Sequence, residues 1–179
     1  TNYDFEKLLE NVNLNPDIKK RIKTLNFLIK KEKKTRKVYS SWNLNNQGLK
    51  HRIHLGSLKK INEKNIISLD QLIKSINKKI DFIKIDVDGF ELKVLKSGIR
   101  YIKKFKPIIH IEFAPYLHLG SNTSSENLIF FIKKILDYDF YNEDFEKIDG
   151  INNYIKKNKK RSENFFLVNN KDLKSLKNI

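Results

Sequence analysis

Apolar residues recur at helical spacing at Phe5, Leu8, Leu9 and Val12, and Asn15-Pro16 closes the run, so residues 5–14 read as a helix. Thr24 to Ile29 reads as a strand, followed by a basic stretch from Lys30 to Lys37. Val38-Tyr39 and the irregular region through Trp42 and Gly48 to Gly56 read as a hairpin excursion or a loop. Ser68-Leu69-Asp70-Gln71 has the form of a capping box, and Leu69, Leu72, Ile73 and Ile76 give the helix behind it one apolar face. Asp81 to Val87 is a strand pattern. Glu91 to Lys104 is a helix pattern: Leu92, Leu95, Ile99 and Ile102 form a stripe, and Lys93, Lys96, Arg100 and Lys103 point away from it. Pro107 stops that helix, and Ile108 to Phe113 reads as the next strand.

Strand, helix and strand within roughly 34 residues is the length of a βαβ unit. A further helix is expected over Ser124 to Leu136, opened by a capping box of Thr123 and Glu126. Tyr138 to Tyr141 and Asn164 to Val168 read as closing strands, joined by the polar segment 142–163. The tail after Asn169 is charged and reads as frayed. Strands alternating with helices predict an α/β fold with a mostly parallel, doubly wound sheet.

The 179 residues suit one domain with its own core. No apolar run approaches the roughly 18 residues of a membrane span. Cys is absent, which excludes disulfides, thiolate metal sites and Cys nucleophiles, and fits a cytoplasmic protein. Met is absent too, even at position 1, so the sequence reads as a piece of a longer protein that begins before Thr1. The net charge of +16, taken alone, suggests a basic nucleic-acid-binding domain. Three observations argue against it. Of the 37 basic residues only Arg21, Arg36, Arg52, Arg100 and Arg161 are Arg, the residue best suited to bidentate phosphate and base contacts. The lysines are spread along the chain. Lys, Asn and Ile are over-used together, as an AT-rich genome produces. The charge therefore reads as solvated surface lysine.

The informative chemistry lies in Ile80-Asp81-Phe82-Ile83-Lys84-Ile85-Asp86-Val87-Asp88-Gly89-Phe90-Glu91. An apolar strand runs into three carboxylates around one glycine, and crowded carboxylates are costly. In an open α/β sheet the ligand crevice lies at the carboxyl ends of the strands, where these acids fall. Side chains alternate along a strand, so Phe82, Lys84 and Asp86 share one face, as do Ile108, His110 and Glu112. If the two strands are parallel neighbours, Lys84 lies near His110 and Asp86 near Glu112. Such a group can act as a general base, hold Mg²⁺ or Ca²⁺, or stabilise a cationic ligand. Asp86 can instead pair with Lys84, Glu91 suits a helix N-terminus, and His110, flanked by Ile, reads as a core histidine.

Asp86-Val87-Asp88-Gly89 fails as an EF-hand loop, because Lys84 occupies a ligand position and a strand precedes it. The haloacid-dehalogenase-like phosphatases also place Asp-x-Asp-Gly after an apolar strand, which would make Asp86 nucleophile and Asp88 acid/base. Here Phe90 follows the glycine, the motif stands mid-chain, and Asp137 and Asp139 do not follow an apolar strand. The block from Asp81 through Glu91 to Gly98 closely resembles the signature of the FkbM family of S-adenosylmethionine-dependent methyltransferases. Ile67-Ser68-Leu69-Asp70-Gln71-Leu72 resembles that family's Thr-Leu-Asp-x-Leu element, and Lys106-Pro107-Ile108-Ile109-His110-Ile111-Glu112 its Pro-apolar-Glu strand. Asn2 to Asn15 resembles the helix after the second strand, and Asn164 to Val168 the last strand. Asp88 stands where the family usually has Glu.

The resemblance implies a Rossmann-like class I methyltransferase fold and methyl transfer from S-adenosylmethionine to a hydroxyl of a sugar, glycan or metabolite. It implies Asp86 as the acceptor-facing acid, as base or metal ligand, supported by Glu112 and Asp88, with Glu91 orienting the turn; use of a divalent metal stays open. Asp86 and the turn after Ile29, including Lys30, would approach the cofactor, although Lys30 departs from the small residue expected. Class I enzymes cradle the cofactor on a glycine-rich turn after the first strand, and the six glycines here form none. The resemblance therefore implies a sheet lacking its first strands, with the main cofactor residues expected upstream of Thr1. Residues 1–170 would be a partial domain and 171–179 a polar tail. The expected partner is a small-molecule or glycan acceptor.

Overall fold

The computed structural model describes residues 2–31, 37–39, 58–60, 65–118 and 123–169. They fall within two compact units, Thr1–Ile67 and Ser68–Ile179. Thr1 itself, ahead of which the main cofactor residues are expected, lies outside the described residues.

In the first unit, α1 (Asn2–Asn13) and α2 (Pro16–Lys19) meet at Asn15, with Pro16 in the first turn of α2, where its missing N–H costs nothing. The expected strand from Thr24 shrinks to β1 (Leu28–Ile29), which pairs in parallel with β4 (Ile66–Ile67). Between them, β2 (Lys37–Tyr39) and β3 (Leu58–Lys60) pair antiparallel, as the arms of a hairpin do. The excursion through Trp42, Gly48 and Gly56 lies outside the described residues, as do 119–122 and the tail 170–179.

The second unit opens on α3 (Leu69–Ile76). Ser68 and Gln71 form the expected capping box, and Asn77 ends the helix in the left-handed conformation at φ 53°. β5 (Phe82–Ile85) follows. The single helix expected over 91–104 is two, α4 (Glu91–Ser97) and α5 (Ile99–Phe105), joined at Gly98. The break has a packing reason. A Cβ on Gly98 would lie 2.6 Å from Cδ2 of Leu69. The Ser97 hydroxyl accepts from the Leu69 amide, and the Asp70 carboxylate accepts from the Tyr101 amide at 2.9 Å. Residues 69 and 70 thus dock on the joint and cap the first turn of α5, whose amides lack helical partners.

β6 (Ile108–Phe113), α6 (Pro115–His118) and α7 (Ser125–Phe130) come next, and α7 passes into a π-helical turn over Phe131–Ile135. The cap of α7 is Ser124, whose hydroxyl accepts from Asn127 N, rather than Thr123 with Glu126. β7 (Asp139–Tyr141), α8 (Ile151–Lys157) and β8 (Glu163–Val168) complete the unit. Helix α8 lies in the stretch whose polarity hid it; Ile151 and Ile155 are its buried anchors.

The sheet runs β5-β6-β8-β7. β5 and β6 are parallel, with Lys84 opposite His110 as expected, whereas β6/β8 and β8/β7 are antiparallel. The prediction of a mostly parallel sheet therefore fails for this sheet: β8 returns against β6, a direction that strand periodicity does not encode. On β6, Ile109, Ile111 and Phe113 are fully buried, while Ile108, His110 and Glu112 face outward and are only partly covered. The core is mixed α/β, with Leu95, Ile102, Leu128, Ile132, Phe140, Phe165 and Leu167 in its centre. Among the described residues no helix is long and apolar enough to cross a membrane.

Candidate functional site

β5 ends at Ile85, and the chain turns over Val87 to Phe90, closed by a Phe90 N–H to Val87 carbonyl bond of 3.2 Å. Asp88 sits at φ 52° and Gly89 at φ 89°. A Cβ on Gly89 would meet the Leu117 carbonyl oxygen at 2.8 Å, so the turn needs glycine both for conformation and for space. The space beside this glycine is filled by the chain's own backbone.

Asp86 is exposed and pairs with Lys84 at 2.9 Å. The paired register ends at Ile85 opposite Ile111, so Asp86 and Glu112 are the next residues on each strand. The Glu112 carboxyl is pushed above the ordinary carboxylate range, first by burial; Asp86, Asp88 and Glu91 add repulsion, and a hydrogen bond from Ser162 works the other way. Oε2 of Glu112 is buried with no hydrogen-bond partner among the described residues. Asp88 and Glu112 in turn raise the Tyr116 phenol, after burial. Four acids thus act on one carboxyl edge of the sheet.

Glu91 stands apart from the other three. It is fully buried, and its Oε1 accepts from the Gly89 amide at 2.9 Å. Its Oε2 lies 3.6 Å from Nε2 of His118, itself buried. Nδ1 of His118 bonds the Ser125 hydroxyl at 3.0 Å, and its ring meets Phe113 edge-on. His118, Ser125, Tyr116, Thr123, Lys156 and Lys159 are among the residues lining a cavity of about 360 Å³.

His110 lies mid-sheet between Phe82 and Phe166, in a row of rings that Phe145 extends. It is lowered below 6.5, by burial first and then by Lys84, with Glu143 and Asp86 partly opposing. Ile29 and Lys30 belong to the other unit. There Ile29 pairs with Ile67, and the Lys30 amide donates to the Ile67 carbonyl at 2.8 Å. The cofactor cradle expected upstream of Thr1 lies outside the described residues, which begin at Asn2. Among the described residues no three His, Asp or Glu side chains converge in a way that could hold a metal ion.

Sequence reasoning missed His118, Ser162, Tyr116 and Ser125. None carries a local signal: His118 is 27 positions from Glu91 and Ser162 is 50 from Glu112. Only the fold makes them neighbours.

The family model described as Methyltransferase FkbM domain matches residues 2–161 of the chain. No curated protein and no solved structure matches it.

Proposed function

The chain belongs to the FkbM methyltransferase family, and from that premise we propose that it is an S-adenosylmethionine-dependent O-methyltransferase whose carboxyl edge of β5 and β6 faces the acceptor hydroxyl. The match spans both compact units, which we take as parts of one Rossmann-like domain. A sugar, glycan or metabolite hydroxyl is the acceptor class, and the cytoplasm the compartment.

The observation that carries the reading is the raised carboxyl of Glu112 beside Asp86, Asp88 and Glu91. The chemistry suits the edge. The cofactor, when bound, supplies a methyl group on a positively charged sulfur. Carboxylates complement that charge, and the orphaned Oε2 of Glu112 offers an acceptor position. Asp86, Asp88 and Glu112 would hold the sulfonium end. The residues that hold the ribose and adenine do not show themselves in the geometry of Ile29 and Lys30, whose backbones are engaged with Ile67.

With a bound cofactor supplying the methyl group and its sulfur as the leaving atom, the step left to this chain would be removal of the acceptor's hydroxyl proton. Glu112 is the base of choice: a carboxyl raised by burial takes a proton better than an ordinary one. Asp86, half of an exposed ion pair with Lys84, has less reason to. Asp86 and Asp88 supply field, and Glu91 holds the turn. The protein's remaining task is to align acceptor oxygen, methyl and sulfur. The family match favours methyl transfer over the phosphatase and nucleic-acid readings.

The test incubates the full chain with S-adenosylmethionine and a panel of sugars, glycans and hydroxylated metabolites, with methyl gain read by mass spectrometry. Calorimetry with S-adenosylhomocysteine accompanies it. A methylated product at oxygen supports the proposal. Cofactor binding with methyl transfer only to nitrogen or carbon sinks the O-methylation part. Absence of cofactor binding, together with magnesium-dependent release of phosphate from a phosphomonoester, returns the chain to the phosphatase reading.

A further inference from the structure

Glu91 presents a puzzle that acceptor chemistry does not absorb. A fully buried carboxylate is among the most expensive groups a fold can carry, and it is kept only where something holds it. Two contacts account for it. Oε1 takes the Gly89 amide, and Oε2, buried without a hydrogen-bond partner among the described residues, faces Nε2 of His118 at 3.6 Å. His118 is itself fixed, by the Ser125 hydroxyl on Nδ1 and by the edge of Phe113.

What lies at the far end of this chain of contacts is the turn with Asp88 at φ 52° and Gly89 at φ 89°. Left-handed backbone at a non-glycine residue costs free energy and persists only when surrounding structure over-determines it. The Glu91–Gly89 bond does this from one side. The Leu117 carbonyl, one residue before His118, bounds the turn on the other side, since it stands 2.8 Å from where a Cβ on Gly89 would fall.

We propose that His118 is a positioning residue. Through Glu91 it locks the Gly89 amide, and so sets where the turn presents Asp86 and Asp88 at the sheet edge, with Ser125 holding the imidazole from the cavity side. The catalytic meaning of this lock rests on the acceptor-facing role proposed above; the lock itself is a statement of geometry.

Amide hydrogen exchange of the full chain, read by NMR at Gly89, tests it without any methyl acceptor. Two substitutions divide the contacts of the imidazole. In His118→Gln the side-chain N–H falls near the position of Nε2 and keeps a donor toward Glu91, while the Ser125 contact is lost. In His118→Asn the side-chain nitrogen falls near Nδ1, and the donor toward Glu91 is lost. Both remove the ring and its packing on Phe113. The expected result is protection at Gly89 close to wild type in His118→Gln, and about tenfold faster exchange in His118→Asn, the scale of a buried carboxylate losing the polar group that faces it. Amides of Ile109 and Leu167 in the sheet should be unchanged in both.

Equal loss at Gly89 in the two variants would mean that His118 acts by packing alone, and would overturn the proposal. So would unchanged protection in both. If either variant fails to fold, Glu91→Gln with His118 intact is the substitute: Gly89 exchange should rise there, and an unchanged rate overturns the lock. Failure of methyl transfer with the Gly89 pattern as expected removes the functional reading and leaves the lock standing.

Discussion

The hydroxyl of Ser162 donates to Oε1 of Glu112 across fifty residues of sequence, and the other oxygen of that carboxyl is buried without a hydrogen-bond partner among the described residues. The bond favours the ionised carboxylate, against burial and the three neighbouring acids. Ser162→Ala should therefore move the Glu112 carboxyl further up. A ¹³C titration of the side-chain carboxyl would show the midpoint at higher pH, and the acid limb of methyl transfer would move the same way. A midpoint that stays or falls contradicts the assignment.

Glu112→Gln separates function from stability. Loss of a general base should slow methyl transfer by about 10²–10⁴-fold. Stability should go the other way. The folded carboxyl is raised above 4.5, so its contribution is fully present below that pH and is lost as pH rises through the raised folded value. At neutral pH the neutral amide escapes this loss, and thermal melting should show a Tm at or above wild type. Loss of both activity and Tm would mark Glu112 as structural.

Gly98→Ala tests the joint between α4 and α5. The new Cβ would sit 2.6 Å from Cδ2 and 2.9 Å from Cγ of Leu69, too close for a rotamer change to relieve cheaply. Overpacking of this kind costs about 1–3 kcal/mol, measurable by urea unfolding. Adding Leu69→Ala should recover part of the loss, because it removes the atoms in collision.

Asp70→Ala removes the cap that α3 places on α5 through the Tyr101 amide. The expected cost is about 0.5–2 kcal/mol, as for other lost helix caps. Asp70→Asn should cost less, since its amide oxygen still accepts. Equal losses would point to charge rather than capping.

His110→Phe addresses acid stability. His110 is lowered below 6.5, by burial first, so its neutral form belongs to the fold. Its contribution is present above 6.5 and lost as pH falls through the lowered folded value. Phe keeps the ring between Phe82 and Phe166 and cannot titrate. The difference in Tm between variant and wild type should therefore shift in favour of the variant as pH drops below 6.5; a difference independent of pH would remove His110 from this role.

Much of this was legible from local pattern. The capping box at Ser68, the span of β6 and the pairing of Lys84 with His110 follow from periodicity and spacing. The break at Gly98 was not legible, because the stripe of Leu92, Leu95 and Ile102 runs through it without interruption. Leu69, from another element, occupies the space where a side chain at position 98 would stand. Helix α8 was hidden because its apolar positions are few. At the candidate site, Asp86, Asp88, Glu91 and Glu112 announced themselves as acids at strand ends. Their division of labour did not, since it depends on burial: Asp86 is exposed beside Lys84, Glu112 is half-buried, and Glu91 has no exposure at all.

Sequence alone thus determined the capping box at Ser68, the span of β6, the acid turn and the family, because each is written in residues close together along the chain. Tertiary structure decided which carboxyl has the raised proton affinity and which is locked beside an imidazole. Desolvation and charge coupling act through space, and the partners that set them, Ser162 for Glu112 and His118 for Glu91, reach those acids only when the chain is folded.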